Sequence, residues 1–313
     1  MMKKLALCLA ACLVALCILP SCSGETLDPE TGNTLPAGGD SGTLTSPAES
    51  ESEEGEATVT DAITLVFSDA GCAVSDTSAV TVTDSAYVIV KAGTYELSGT
   101  LKNGQVRVSV DKTEDVTLIL NNLTATSLSS APLYIHSCNK VNIELAAGSV
   151  NTLTDARVYV YPDANTDKPN ACLYSSDDMD IGGTGTLVVN GNYNNGIGCK
   201  NDLKIEGGNI TVSAPNNILK GNDSVTVEAG KLTLTGGEDA IKSDVLDRLD
   251  KGFVLIMAGA EIDITCSDDA LQASVSITVE KGAVITGTAG GDIANCTDGT
   301  VNCDPEAMKI TNG

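Results

Sequence analysis

Short runs of alternating apolar and polar residues recur at fixed intervals along the second half of the chain. Leu203-Lys204-Ile205 and Ile210-Thr211-Val212 are followed 22 residues later by Val225-Thr226-Val227 and Leu232-Thr233-Leu234. A period of two predicts short strands with one face inward and one outward. The blocks 194–215 and 216–237 are each 22 residues long, 238–267 repeats the theme with an eight-residue insertion, and 268–289 returns to 22. Gly208, Gly230 and Gly282 fall in one column between the paired strands, and Gly259 is shifted by one as a bulge would shift it. A glycine recurring there predicts a turn with positive φ in every block.

The first half keeps this texture with looser spacing. Tyr87-Val88-Ile89-Val90, Val106 to Val110, Val116 to Leu120, Leu133-Tyr134-Ile135 and Val141 to Leu145 read as strands. Strands this short, with no helical periodicity between them, exclude a parallel α/β sheet. Self-similarity at this period predicts an all-β parallel β-helix, a solenoid with coils of about 22 residues. In such a fold equivalent residues stack about 4.7–4.9 Å apart, so a recurring polar position becomes a ladder. Residues 155–170, with Tyr159, Tyr161 and Pro162, and residues 248–252 are expected to bulge outward as loops.

The N-terminal segment changes the picture from a free domain to a tethered one. Lys3 and Lys4 precede the apolar run 5–19, which is too short to span a membrane and reads as an export signal. It ends in Leu19-Pro20-Ser21-Cys22, which resembles a lipobox, so cleavage before Cys22 and lipidation of that cysteine are expected. Residues 1–21 are the predicted signal peptide, 22–58 a disordered acidic tether, and 59–313 the folded body. From 23 to 58 there are nine acids and no Lys or Arg, a composition that cannot bury enough apolar surface to order itself. The expected location is extracytoplasmic, at the cell surface, with membrane contact only through the lipid.

The net charge is −24. That excludes nucleic acid as a partner and would repel an acidic polymer unless cations bridge the two. Of eleven cysteines, seven lie beyond Cys22, an odd number. Cys199 reads as a small inward residue, while the sequence leaves open whether Cys296 and Cys303 pair with each other. No CxxC spacing suggests a zinc or redox site.

Aligning the blocks exposes the candidate chemistry. One column reads Asn194, Asn216, Glu238, Asp268, and the next reads Asn195, Asn217, Asp239, Asp269. A third group holds Asp202, Asp223 and Asp244. Stacked carboxylates repel, and calcium, which takes oxygen ligands at about 2.3–2.6 Å, would relieve them. The candidate metal ligands are therefore Asp202, Asp223, Glu238, Asp239, Asp244, Asp268 and Asp269. The competing account is that Asn and Asp bond the backbone at corners. Lys220 and Lys242 are equivalent positions with Gln272 above them and Gly198 below, and Lys200 lies nearby. They either balance the acids or, with calcium, form a cationic strip for uronate carboxylates. Tyr193, beside the ladder, is a candidate sugar-facing ring. There is no Trp and one histidine, His136, so a flat aromatic platform and a serine-protease-like triad are both poorly supplied.

A wider pattern carries a resemblance. Ser98-Gly99-Thr100-Leu101, Ser130-Ala131-Pro132-Leu133-Tyr134-Ile135, Asn151-Thr152-Leu153-Thr154-Asp155, Asp239-Ala240-Ile241-Lys242-Ser243-Asp244 and Asp268-Asp269-Ala270-Leu271-Gln272-Ala273 occur in an order similar to that of bacterial carbohydrate-binding domain-containing proteins. The resemblance covers about residues 60–290 and implies a right-handed parallel β-helix shaped like pectin-degrading lyases. It further implies binding of calcium and of plant cell-wall polysaccharide. The family's recurrent Asp-Asp-Gly-Ile turn reads Asn194-Asn195-Gly196-Ile197 here. The expected function is a surface-anchored, non-catalytic lipoprotein that binds acidic, polygalacturonate-like polysaccharide or cellulose with the help of calcium. The alternatives are a calcium-dependent lyase using Lys220 or Lys242 as base, and an adhesin or stalk that binds no sugar.

Overall fold

The computed structural model describes residues 61–83, 86–161, 168–245, 248–297 and 299–313. The expected signal peptide, Cys22, the tether and Pro162 lie outside the described residues. Every regular element described is a β-strand.

Successive blocks stack in parallel with the 22-residue offset. Ile197 pairs with Leu219, which pairs with Ile241, and Val212 pairs with Leu234. Alternation decides which side chains enter the core. In Asn209–Ala214 and Ser224–Gly236 the apolar residues are buried and the intervening Thr are not. Leu203, Val225, Val254 and Ile277 stack as one such file, each at most 1% exposed.

The right-handed parallel β-helix of separate faces is corrected by the pairing of the main sheet, which closes on itself. Val116–Thr126 pairs with Lys140–Leu145, and this continues through Asp178–Gly183 and Asp202–Ile205 to Ser224–Gly236. From there it returns through Asn209–Ala214, Thr186–Asn190 and Val150–Thr154 to Val116–Thr126. These eight strands form a closed parallel barrel, to which further strands are attached, giving sixteen in that sheet.

The physical reason lies in the long strands. Ser224–Gly236 pairs through Ser224 to Val227 with Asp202–Ile205 and through Lys231 to Gly236 with Asn209–Ala214. Gly230, at φ +105°, lies inside it. The glycine bends the strand instead of ending it, so two expected faces become one sheet.

A second sheet of ten strands runs from Ala294–Cys296 through Leu271–Ala273, Ile241–Ser243, Leu219–Gly221, Asn195–Cys199 and Ala171–Ser175 toward Val80–Val82. It carries the polar columns. At the N-terminal end the order changes to antiparallel in two places, Ile63–Ser68 with Gly71–Val74 and Val80–Val82 with Ala86–Ile89.

Candidate functional site

The polar columns sit where each block turns into the ten-stranded sheet. Asn195, Asn217, Asp239 and Asp269 are all nearly buried, between 2% and 4% exposed. Burial of such groups requires partners, and the ladder supplies most of them. Asn195 Oδ1 accepts from the Asn217 backbone N–H at 3.1 Å and from its Nδ2 at 3.0 Å. Asp239 Oδ1 accepts from the Asp269 N–H at 3.2 Å, and Asp269 Oδ1 from the Asp292 N–H at 2.7 Å. In the neighbouring column Asn216 Nδ2 donates to Asn194 Oδ1 at 2.8 Å.

The ladder has one gap, between the carboxamides and the carboxylates. Asn216 Oδ1 and Asn217 Oδ1 are buried and accept no hydrogen bond. Each amide donates its Nδ2 back to the preceding block, which leaves its oxygen without a donor at the level where Glu238 and Asp239 begin. A buried acceptor left empty costs about 1–3 kcal/mol.

Beyond the gap, carboxylate oxygens of Asp239, Asp268 and Asp269 lie within 4.8 Å of one another. Asp268 is exposed, whereas Asp239 and Asp269 are buried. Desolvation, then the charges of Asp269, Asp239 and Glu238, push the Asp268 carboxyl above its ordinary range, with Lys242 pulling the other way. Lys242 Nζ donates to Asp239 at 2.9 Å. Three carboxylates against that one ammonium leave an excess of two negative charges.

The seven expected metal ligands therefore separate. Asp239, Asp268 and Asp269 come together, with exposed Glu238 adding to the field on Asp268. Asp244 is taken up by Lys220 at 2.9 Å and Lys242 at 3.8 Å. Asp223 is paired with Lys251, and Asp202 is exposed and accepts from Ser224 Oγ at 2.6 Å.

The expected sugar-binding residues also separate. Lys220, Lys242 and Gln272 occupy one column, and all three side chains turn toward acids, Gln272 reaching Asp269 at 3.3 Å. They balance carboxylates, as the plainer of the two readings expected. Burial opposes charge on Lys242, but the hydrogen bond to Asp239 and the charges of Asp239, Asp244 and Glu238 outweigh it and hold its pKa above the ordinary value. Its ammonium is engaged by Asp239 at 2.9 Å and Asp244 at 3.8 Å. Lys200 lines a cleft with Lys220. Tyr193, 37% exposed, stacks on Tyr159 with ring centroids 4.1 Å apart.

Asn295 went unnoticed in the sequence. Its Nδ2 donates to Asp269 at 2.7 Å, and it continues the Lys220–Lys242–Gln272 column. The interval of 23 residues from Gln272 was the available signal. Asp155 was likewise missed as an anchor: it accepts from Tyr159 Oη at 2.6 Å and from the Asn192 N–H at 2.5 Å, tying Tyr159 to the block that follows. Cys296 and Cys303 are free thiols, not a pair.

With this geometry in place, known proteins supply the context. Residues 83–311 match the family described as carbohydrate-binding domain-containing protein. The chain belongs to that family. A carbohydrate-binding domain-containing protein of Acetivibrio thermocellus is 38% identical over 229 residues, which are 73% of this chain and 80% of that protein. The solved structure of a polysaccharide lyase-like protein from C. thermocellum, a gadolinium derivative, is 41% identical with a TM-score of 0.77, and the match covers 80% of this chain and 100% of that one. The family and the relative are named for carbohydrate binding, consistent with a non-enzyme, while the structural neighbour is called lyase-like.

Proposed function

We propose that this chain binds acidic, polygalacturonate-like plant polysaccharide with the help of calcium, and is held at the outer cell surface by lipid on Cys22. The observation that carries the reading is the cluster of three carboxylate side chains, which begins one block after two orphaned carboxamide oxygens. Two oxygens on one calcium ion lie at most about 4.6–5.2 Å apart, given ligand distances of about 2.3–2.6 Å. The 4.8 Å cluster meets that condition. The excess of two negative charges matches the charge of the ion, and the donors are all of the hard oxygen type that calcium takes. Asp239, Asp268 and Asp269 would hold it.

When bound, calcium supplies positive charge at the surface of an acidic protein, which otherwise repels a polyuronate. The buried ladder keeps the carboxylates of Asp239 and Asp269 fixed, and exposed Asp268 faces solvent. Cellulose, an uncharged polymer, gains nothing from such a cation and is the weaker candidate. The test is a pull-down of the full chain on polygalacturonate with calcium and with chelator. Retention that survives calcium removal refutes the bridging mechanism.

A further inference from the structure

The outward column of the ten-stranded sheet contains a second, differently built site. Arg107, Tyr134, Tyr174, Gly198, Lys220 and Lys242 are consecutive register partners along it. Each has a long side chain except Gly198. One layer therefore lacks its side chain, and the flanking layers stand about 9.4–9.8 Å apart across it. The result is a cleft of about 220 Å³ between Tyr174 and Lys220, lined also by Asn170, Asn195, Gly198 and Lys200.

The cleft depends on the glycine. A Cβ at Gly198 would lie 2.8 Å from the Ala171 Cβ, 3.4 Å from Tyr174 Cδ2 and 3.5 Å from Asn170 Oδ1. Its aromatic wall is fixed from behind, since Tyr174 packs against Tyr134 at 5.8 Å and the Arg107 guanidinium lies 5.2 Å from the Tyr134 ring. Asn170 closes the 155–170 segment, and its carbonyl accepts from the Asn195 N–H at 3.0 Å. Asn170 thus forms one edge of the cleft.

The lining chemistry is unusual for this protein. The chain carries 42 acids against 18 bases, yet two lysines and no carboxylate line the cleft. An aromatic edge, carboxamides and ammonium groups suit a ring with an apolar C–H face, hydroxyls and a carboxylate. The volume is below the roughly 300–1,000 Å³ of sites that enclose a whole drug-sized ligand, so it suits a single ring.

We propose that the Gly198 cleft is a subsite for one uronate residue of a bound polysaccharide, separate from the carboxylate cluster. This rests on the polysaccharide reading above. Both lysines already have protein partners, Lys220 with Asp244 at 2.9 Å, so the uronate carboxylate joins those pairs and displaces neither.

The test is calorimetric titration of the full chain with trigalacturonate and with its methyl ester, in calcium. It is run on wild type, Gly198→Ala and Lys200→Gln, with thermal melts to check folding and polygalacturonate pull-downs in parallel. We expect Lys200→Gln to weaken trigalacturonate about tenfold, the loss of one charge-assisted contact. Gly198→Ala, by filling the gap, weakens it at least as much, and the methyl ester binds wild type more weakly than the acid. If Gly198→Ala fails to fold, Lys200→Gln decides. Calcium-dependent retention of polymer by all three proteins, with trigalacturonate affinity unchanged in the variants or absent in wild type, overturns the subsite alone. Equal affinity for acid and ester overturns its uronate character. Failure of wild type to retain polymer overturns the underlying function instead.

Discussion

Replacing Asp239 by Asn separates structural from cation-binding roles, because the two effects appear under different conditions. Asp239 is 2% exposed, and its carboxylate meets Lys242 at 2.9 Å and other carboxylates within 4.8 Å. At an effective dielectric of about 20, the lost attraction to Lys242 is about 6 kcal/mol and the relieved repulsion from Asp269 about 3.5 kcal/mol at the 4.8 Å limit. Exposed Asp268 relieves a further, more screened amount. Lys242 keeps Asp244 at 3.8 Å, and the new carboxamide keeps an oxygen for the Asp269 N–H. Without a cation the terms nearly cancel, and Asp239→Asn is expected to lose only about 1–2 kcal/mol. With calcium at one hundred times its dissociation constant, wild type gains about 2.7 kcal/mol. That gain raises the melting temperature by about 5–10 °C. The variant keeps only one excess negative charge and is expected to gain less than about 1 kcal/mol under the same conditions. Thermal melts of the full chain in chelator and in calcium measure both quantities. A full calcium-dependent rise in the variant, or none in wild type, refutes the reasoning.

Glu144→Gln is expected to stabilise the protein at pH 7. Desolvation and then the Glu206 charge raise the Glu144 pKa, so this carboxylate costs stability as pH rises through its folded value. The advantage of the variant fades as pH falls toward 4.5, the ordinary glutamate value. Urea midpoints at several pH values check this, and an advantage that grows on acidification contradicts it. Gly230→Ala should destabilise by about 1–3 kcal/mol, because φ is +105° and the new Cβ would lie 2.9 Å from the Gly208 carbonyl oxygen. A urea midpoint equal to wild type would show that the bend tolerates a side chain. In the native protein a maleimide should label Cys72, Cys296 and Cys303 before Cys138 and Cys172. Burial pushes the Cys138 thiol up to about 12 and Cys172 well above its usual range. Peptide mass mapping that finds a Cys296–Cys303 crosslink would contradict the free thiols.

The block register was legible because two independent patterns shared the same period. Strand triplets such as Val225-Thr226-Val227 and the polar pairs before them both recur at 22 residues, so a slip in one would misplace the other. Closure of the main sheet was not legible. Gly230 announces a positive φ, but it does not reveal whether the flanking N–H and C=O groups stay in the ladder, and here they do. The candidate site was legible in part. Asp239, Asp268 and Asp269 share columns and were found together, whereas Asp223 looked equivalent until Lys251, from the insertion, met it. The orphaned oxygens of Asn216 and Asn217 depend on which way each amide points, which its bond to Asn194 or Asn195 in the preceding block decides.

The side-chain ladder also has a direction. Asn194, Asn195, Asp239 and Asp269 each accept from the block that follows, so truncating Asp269 strips the Asp292 N–H and the Asn295 amide of an acceptor. Truncating Asp292 leaves Asp239 and the blocks before it with their acceptors in place. Loss of an acceptor is therefore felt by the block on its C-terminal side. The gap at Asn217 divides this line in two, one segment ending at Asn217 and one beginning at Asp239. Across that division the columns are joined through the backbone, Glu238 N–H to the Asn216 carbonyl at 2.9 Å and Ile218 N–H to the Asp239 carbonyl at 3.0 Å, so the side-chain line is broken where the main-chain line is not.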